Sequence, residues 1–136
     1  MSNATAALEA ARTAWTTGNA FPAPPTSLQL ALSSAEPLDD MSGFVEPTDP
    51  AYSRITIVLS AAGPANGVGD VMSNTTPHAF GTGTIDNGSM THWAVFAVGG
   101  GLDGSAIYHG AITIPQPYNI GQTPVLRAGD LQITER

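Results

Sequence analysis

Three histidines are the residues of this chain with the most obvious capacity for chemistry. His92 and His109 lie in two apolar segments that are predicted to pair as neighbouring strands of a hairpin, so their side chains can face each other. His78 lies beside Pro77 in a segment with a weaker pattern. A zinc site needs at least a third protein ligand beyond two imidazoles. We therefore favour histidines that hydrogen-bond to the backbone, and we predict no metal site.

A run of glycines precedes the second of these segments. Residues 99–104 read Gly-Gly-Gly-Leu-Asp-Gly and match the G-x-G-x-x-G fingerprint of dinucleotide-binding proteins. In that fingerprint the glycines open a helix whose N-terminus faces a pyrophosphate. Residues 105–108 read instead as a strand, and no βαβ unit surrounds them. We interpret the run as a hairpin loop and predict no nucleotide cofactor.

Five carboxylates lie in the segment 36–49, and carboxylates are preferred ligands of calcium. A calcium site takes about six to eight oxygens, which an EF-hand loop supplies at fixed positions. Here two aspartates are adjacent and no glutamate follows at the twelfth position. The five residues are Glu36, Asp39, Asp40, Glu46 and Asp49. We interpret the segment as a solvated acidic loop.

No arrangement of residues points to catalysis. No serine lies in a G-x-S-x-G sequence, which marks the nucleophile of α/β-hydrolases. The carboxylate pair of a glycoside hydrolase is brought together by the fold, and nothing in the sequence singles out such a pair. We predict no catalytic residue and no enzyme, and keep a hydrolase or a stand-alone lectin as an alternative.

Composition narrows the class of partner. Eleven Asp and Glu oppose four Arg, giving a net charge of −7, which argues against nucleic acid and anionic membranes as partners. Charged residues make up 11% of the chain, against roughly 25% in an ordinary soluble domain. Such a surface favours an assembly, here a homo-oligomer, over a monomer covered by serine and threonine. The chain has no cysteine, and its N-terminus lacks the basic start of a signal peptide.

The first 25 residues are predicted to form an arm. Apolar residues recur at helical spacing over 4–17, with Ser2 or Asn3 as the cap and Gly18 as the end. A helix of about fourteen residues is marginal alone in water, so it must dock. It can dock on its own domain or on a neighbouring subunit. Residues 18–25 contain three prolines in four residues, which favours an extended spacer.

Residues 26–136 are predicted to form one β-domain. Short apolar segments rich in β-formers alternate with Gly, Pro and Asn turns, and no helical period intervenes. The predicted strands are 27–32, 54–59, 70–72, 79–84, 91–98, 105–114, 124–127 and 131–134, with turn residues at 61–69 and 86–88. The segment 54–59 is expected to be largely buried. This pattern predicts an all-β, antiparallel sandwich of jelly-roll or immunoglobulin-like type, with a short N-terminal helix.

Large apolar side chains outside the predicted strands are the candidate contact residues. Trp15 and Phe21 lie in the arm, and Phe44 lies in the acidic loop. Leu8 lies on the apolar stripe of the predicted helix. Residues of this kind at such places are often anchors of a protein interface. The alternative is that they cover the ends of the sandwich.

Several sequence phrases resemble a family of small structural proteins of tailed phages. The phrases are Leu28-Gln29-Leu30-Ala31-Leu32-Ser33-Ser34-Ala35-Glu36-Pro37, Tyr52-Ser53-Arg54, Thr91-His92-Trp93, Ile107-Tyr108-His109-Gly110-Ala111 and Ala128-Gly129-Asp130-Leu131. They extend over roughly residues 26–135. Members of this family are described as tail-fibre, head-fibre or capsid-decoration proteins, and the resemblance implies no catalytic residues.

The resemblance and the composition together lead to one hypothesis and one alternative. The hypothesis is a non-enzymatic capsid decoration or cement protein, made in the bacterial cytoplasm, which binds the major capsid protein on the capsid exterior as a dimer or trimer. The alternative is a tail or neck fibre, or fibre-base, module that contacts another virion protein or a host glycan. The two differ in copy number per particle.

Overall fold

Antiparallel strands account for most of the regular secondary structure. The computed structural model describes residues 2–64 and 70–134. Its elements are β1 (Ser2–Ala4), α1 (Ala6–Thr16), β2 (Ser27–Ser33), β3 (Ile55–Ile57), β4 (Leu59–Pro64), β5 (Asp70–Asn74), β6 (His78–Ala79), β7 (Ser89–Val98), β8 (Ala106–Pro117), β9 (Val125–Leu126) and β10 (Gln132–Thr134). Within the two described stretches α1 is the only helix. The all-β prediction is confirmed, whereas a jelly-roll or immunoglobulin-like type stays a prediction.

The strands form three sheets, and the hairpin of β7 and β8 lies within the largest. The largest has the order β1-β8-β7-β2-β3, the second has the order β10-β5-β4, and β6 pairs with β9. β7 lies at the centre of the first sheet, where β2 pairs with it from Ser27 opposite Val98 to Ser33 opposite His92. β8 pairs along its other side. The predicted hairpin is confirmed, and residues 99–104 are its loop.

The three sheets and the helix share one hydrophobic core. The five-stranded sheet contributes alternate residues of one face, as its period of two requires. The buried core residues are Leu8, Leu30, Leu32, Ile57, Phe80, Met90, Trp93, Val95, Tyr108, Ile112, Tyr118, Leu126, Leu131 and Ile133. Contributions from every sheet make the architecture sandwich-like.

Residues 54–59 do not form one buried strand. The chain leaves the large sheet after β3 and joins the three-stranded sheet at β4, and Val58 between them is 70% exposed. Ile57 is the buried residue of the segment. The prediction of a largely buried strand is wrong because β3 is a three-residue edge strand, which presents one face to solvent.

Two other strand predictions differ from the structure in extent. Residues 61–64, predicted as turn, belong to β4, and residues 65–69 lie outside the described part of the chain. Of the strand predicted over 79–84, only Ala79 is in β6. Gly81 and Gly83 explain this, since a Cβ at either would overlap backbone atoms of residues 51 and 119, where two loops approach closely.

The N-terminal segment begins as a strand. Residues 2–4 form β1, which pairs with β8 so that Ala4 lies opposite Tyr108. The predicted cap at Ser2 or Asn3 is therefore wrong, and Thr5 caps α1. Its Oγ1 accepts a bond from the Leu8 amide at 3.4 Å and donates to the carbonyl of Ala106 at 2.6 Å.

The helix ends where the sequence predicts. Gly18 has a φ of +103°, the left-handed conformation that glycine tolerates best. Its amide donates to Trp15 O, and the Asn19 amide donates to Ala14 O. α1 packs on β8 of its own chain and buries Leu8 and Ala11. Whether residues 26–136 fold without the first 25 stays a prediction.

Asn74 joins β5 to the last turn of the chain. Its Oδ1 accepts hydrogen bonds from the amides of Gly129 and Leu131, each at 3.1 Å. Its Nδ2 donates to the carbonyls of Thr76 and Arg127, each at 2.9 Å. All four bonding positions of a buried amide are thereby used, which is the condition for burying it without a penalty.

We expect Asn74→Ala to lower the free energy of unfolding by about 2–3 kcal/mol, because it leaves buried backbone groups without partners. Urea denaturation followed by circular dichroism measures the change. Asn19→Ala is the matched control, since Asn19 is exposed. Equal stability of the two variants would contradict the role assigned to Asn74.

Candidate protein-interaction surfaces

The acidic segment covers the face of the large sheet that points away from the core. The Ser33 Oγ accepts hydrogen bonds from the amides of Ala35 and Val45, which folds the segment back over the sheet. Asp39 reaches His109 of β8, with 2.9 Å between Oδ1 and Nε2. The segment therefore packs on the sheet, while Glu36, Asp39 and Asp40 are exposed to solvent as predicted.

His92 and His109 each bond to a side chain, Thr91 and Asp39 respectively, so the prediction of histidines that hydrogen-bond to the backbone is wrong for these two. His92 lies opposite Ala111 and His109 opposite Ala94, so both imidazoles lie on the outer face, diagonal to each other. The His92 Nδ1 is 2.8 Å from the Thr91 Oγ1. His78 lies in β6, in a different sheet. In residues 2–64 and 70–134 no group of three His, Cys, Asp or Glu is arranged to hold a metal ion.

Asp49 is a buried clamp, which corrects the prediction of a solvated loop at this position. Its carboxylate accepts bonds from the Thr84 amide at 2.7 Å and the Thr84 hydroxyl at 2.6 Å. The amides of Ala51 and Ile85 and the Asn87 side chain also donate to it. Burial by itself raises the pKa of Asp49, but these hydrogen bonds outweigh it and hold the pKa well below its usual range.

A mixed aromatic and ionic cluster forms another part of the outer face. Arg54 Nη2 lies 2.6 Å from Glu46 Oε1, and the guanidinium stacks 3.8 Å from the centre of the Phe96 ring. Tyr52 donates to Glu46 at 2.7 Å. Burial raises the pKa of Glu46, but the bonds from Arg54 and Tyr52 bring it below its usual value. The Phe44 ring contacts the Phe96 ring edge-on. This contact within the chain accounts for the position of Phe44 in the acidic segment.

The four candidate contact residues fall into two groups. Leu8 is buried in the core, and Phe44 is half-buried against Phe96. Trp15 is 63% exposed and Phe21 is 46% exposed. Only the last two present large apolar surface to a partner, and their role in an interface stays a prediction.

Three exposed isoleucines were not singled out by the sequence. Ile85, Ile114 and Ile120 are all exposed on the structure. Ile114 ends the predicted strand 105–114, where an apolar residue in an alternating segment reads as a core position. Ile85 and Ile120 lie outside the predicted strands, so the criterion that selected Trp15, Phe21 and Phe44 applied to them as well.

A shallow pocket lies where the start of α1 meets the acidic segment. It measures about 370 Å³, and its lining includes Asp39 and Asp40. Asp39 is bonded to His109, and Asp40 accepts hydrogen bonds from the amide and hydroxyl of Ser42. Each carboxylate therefore has its own partner within the protein.

Comparison with known proteins identifies the family. A family model described as podophage GP4 fiber I protein gp80 matches residues 3–134, nearly the whole chain. The chain belongs to this family. The resemblance to tailed-phage virion structural proteins is thereby confirmed. No curated protein matches the chain, and no helix of the described residues is long and apolar enough to cross a membrane.

The phrases that carried the resemblance have structural roles in this fiber I family member. Ser33 folds the acidic segment onto the sheet, and Tyr52 belongs to the cluster around Glu46. Gly129 takes a φ of +85° in the turn that Asn74 holds. These positions therefore build the scaffold of the fold.

The proline spacer lies on the glycine-rich hairpin loop. The Gly101 amide donates to Ala23 O at 3.1 Å. A Cβ on Gly100 would overlap the carbonyl of Pro24, and a Cβ on Gly101 would lie 2.5 Å from the Pro22 Cβ. The glycines therefore serve close backbone approach rather than phosphate binding, and they fix the spacer that carries Phe21.

We expect Gly100→Ala to release the spacer, while Gly104→Ala does not. Both glycines have a left-handed φ, +75° and +79°, so both variants carry a backbone cost of about 1 kcal/mol. Only the Cβ at position 100 also meets the spacer. Cleavage by proteinase K within residues 17–25 should be faster in Gly100→Ala alone. Equal cleavage in the two variants would rule out the steric contact.

Asp49 should make the free energy of unfolding depend on pH in the acid range. Its lowered pKa contributes stability that is present above the unfolded value of about 3.9 and is lost as the pH falls through the folded value. Asp49→Asn should therefore lower the urea midpoint clearly at pH 7, and this deficit should begin to shrink only as the pH falls below about 3.9. Glu9→Gln, an exposed carboxylate on α1, is the control. A deficit in Asp49→Asn that does not shrink in acid would contradict the assignment.

Proposed function

We propose that this protein is a non-enzymatic fibre or fibre-base component of a tailed-phage particle, contacting another virion protein and assembling with copies of itself. The observation that carries the proposal is the match of residues 3–134 to a family whose description names a fibre protein. That description supports the fibre hypothesis over capsid decoration, which stays a prediction together with a position on the capsid exterior.

The surface supports an assembly role. The chain has few charges and a net charge of −7, so it avoids the cationic patch that nucleic acid requires. Its carboxylates at 39, 40, 46 and 49 are each bonded to another group of the chain. What remains exposed and apolar is suited to protein contact rather than to chemistry on a substrate.

The N-terminal end is the contact that we assign to the virion partner. Trp15 follows the buried part of α1, and Phe21 lies on the spacer that the hairpin loop holds in place. A fixed spacer loses little conformational entropy on binding, so its aromatic side chain is presented ready for a partner. Aromatic anchors of this kind contribute most of the energy of many interfaces.

Copy number tests the fibre against the cement hypothesis. Quantitative protein gels or mass spectrometry of purified particles measure the amount of this protein relative to the major capsid protein. For a fibre we expect roughly a few to a few dozen copies per particle. A cement would be present in roughly hundreds of copies. Absence from washed particles would overturn both.

The double variant Trp15→Ser, Phe21→Ser should fold normally and lose most of its incorporation into particles when it complements a phage that lacks the gene. Val58→Ser is the matched control, since Val58 is 70% exposed and lies away from the N-terminal segment in the chain. Incorporation of the double variant at the wild-type level would show that the N-terminal end is not the contact.

A further inference from the structure

The open end of the β7–β8 hairpin carries two loops that are bonded to each other. The Gly83 amide donates to Gln122 O at 2.8 Å, and the Gly121 amide donates to Gly83 O at 2.9 Å. The Asn87 amide donates to Tyr118 O at 2.9 Å. Residues 82–89 and 113–123 therefore form one surface, which we call the neutral end.

The neutral end exposes three aliphatic side chains. Ile85 is 40% exposed, Ile114 is 71% exposed and Ile120 is 66% exposed. Ile114 and Ile120 flank Pro117, the residue that pairs with the start of β7, which places both at this end of the hairpin. Singly exposed apolar residues are ordinary, but these three lie on segments that are bonded to one another, and we call the three side chains the patch.

The loops that carry Ile85 and Ile120 are held by contacts within the chain. The Asp49 Oδ2 accepts hydrogen bonds from the amides of Thr84 and Ile85, at 2.7 and 3.2 Å. A Cβ on Gly83 would overlap the carbonyl of Asn119, so the two loops are in close contact. A surface that is already ordered loses little entropy when it binds.

Charge indicates what covers the patch. Asp86 is the only charged residue in 82–89 and 113–123, and its carboxylate accepts a bond from the Ile120 amide. Two copies that each carry −7 repel each other wherever their acidic segments meet. The neutral end is where that repulsion is weakest and apolar surface is available, so it suits a second copy of the same chain.

We propose that the neutral end is the self-association surface of this protein, with the neutral end of a second copy as its occupant. The proposal deepens the proposed function, since it names the surface through which fibre subunits join. β7 has ten residues and is about 33 Å long. Self-association at one end of the hairpin therefore leaves Phe21, beside the hairpin loop at the other end, free for the virion partner.

The test measures self-association of the purified full chain by sedimentation velocity. Ile120→Asp should weaken the association at least about tenfold, because it places a charge in the contact. Leu38→Asp is the matched control, since Leu38 is also 66% exposed but lies in the acidic segment. Ile114→Ser repeats the test without adding charge, and thermal melting checks that each variant folds.

The salt dependence tests whether repulsion between the acidic copies opposes their association. Raising NaCl from about 50 mM to about 500 mM screens the repulsion between acidic copies, so self-association should strengthen. A monomeric wild-type chain, an equal loss in Leu38→Asp, or weaker association at high salt would overturn the inference. A wild-type chain that is monomeric yet present in purified particles would overturn this inference and the self-assembly part of the proposed function, and would leave the fibre component standing.

Discussion

The antiparallel ladder between β7 and β8 is the interaction on which the rest of the structure depends. It sets which face of the large sheet enters the core, because Val95 and Tyr108 lie opposite each other on that face. It also sets the positions of the loops at the two ends of the hairpin. The glycine-rich loop at one end receives the proline spacer, and the loops at the other end form the neutral end. Both exposed apolar regions owe their positions to this one pairing.

Buried polar side chains hold the turns of this domain. The chain has no cysteine, and its turns are held instead by Ser33, Asp49 and Asn74, each of which is buried with its polar atoms bonded to backbone groups. A buried polar group that loses its partners is costly, so each clamp specifies one loop conformation. The loops are thereby held by hydrogen bonds to buried side chains.

The two proposals place two contacts at opposite ends of one sheet. In the proposed arrangement Trp15 and Phe21 would contact another virion protein, and Ile114 and Ile120 would contact a second copy. The acidic segment lies between these ends, and its like charges would oppose lateral association of copies.

The sequence by itself determined the fold class, the hairpin, strand β2 and the end of α1 at Gly18, because local periodicity and turn residues specify these directly. It also determined the family. Only the tertiary structure decided that residues 2–4 pair with β8, that Asp49 is buried, and that the isoleucines near Pro117 are exposed. These facts depend on contacts between residues far apart in the chain. Local pattern gives a strand's period, but its neighbours decide which face is covered.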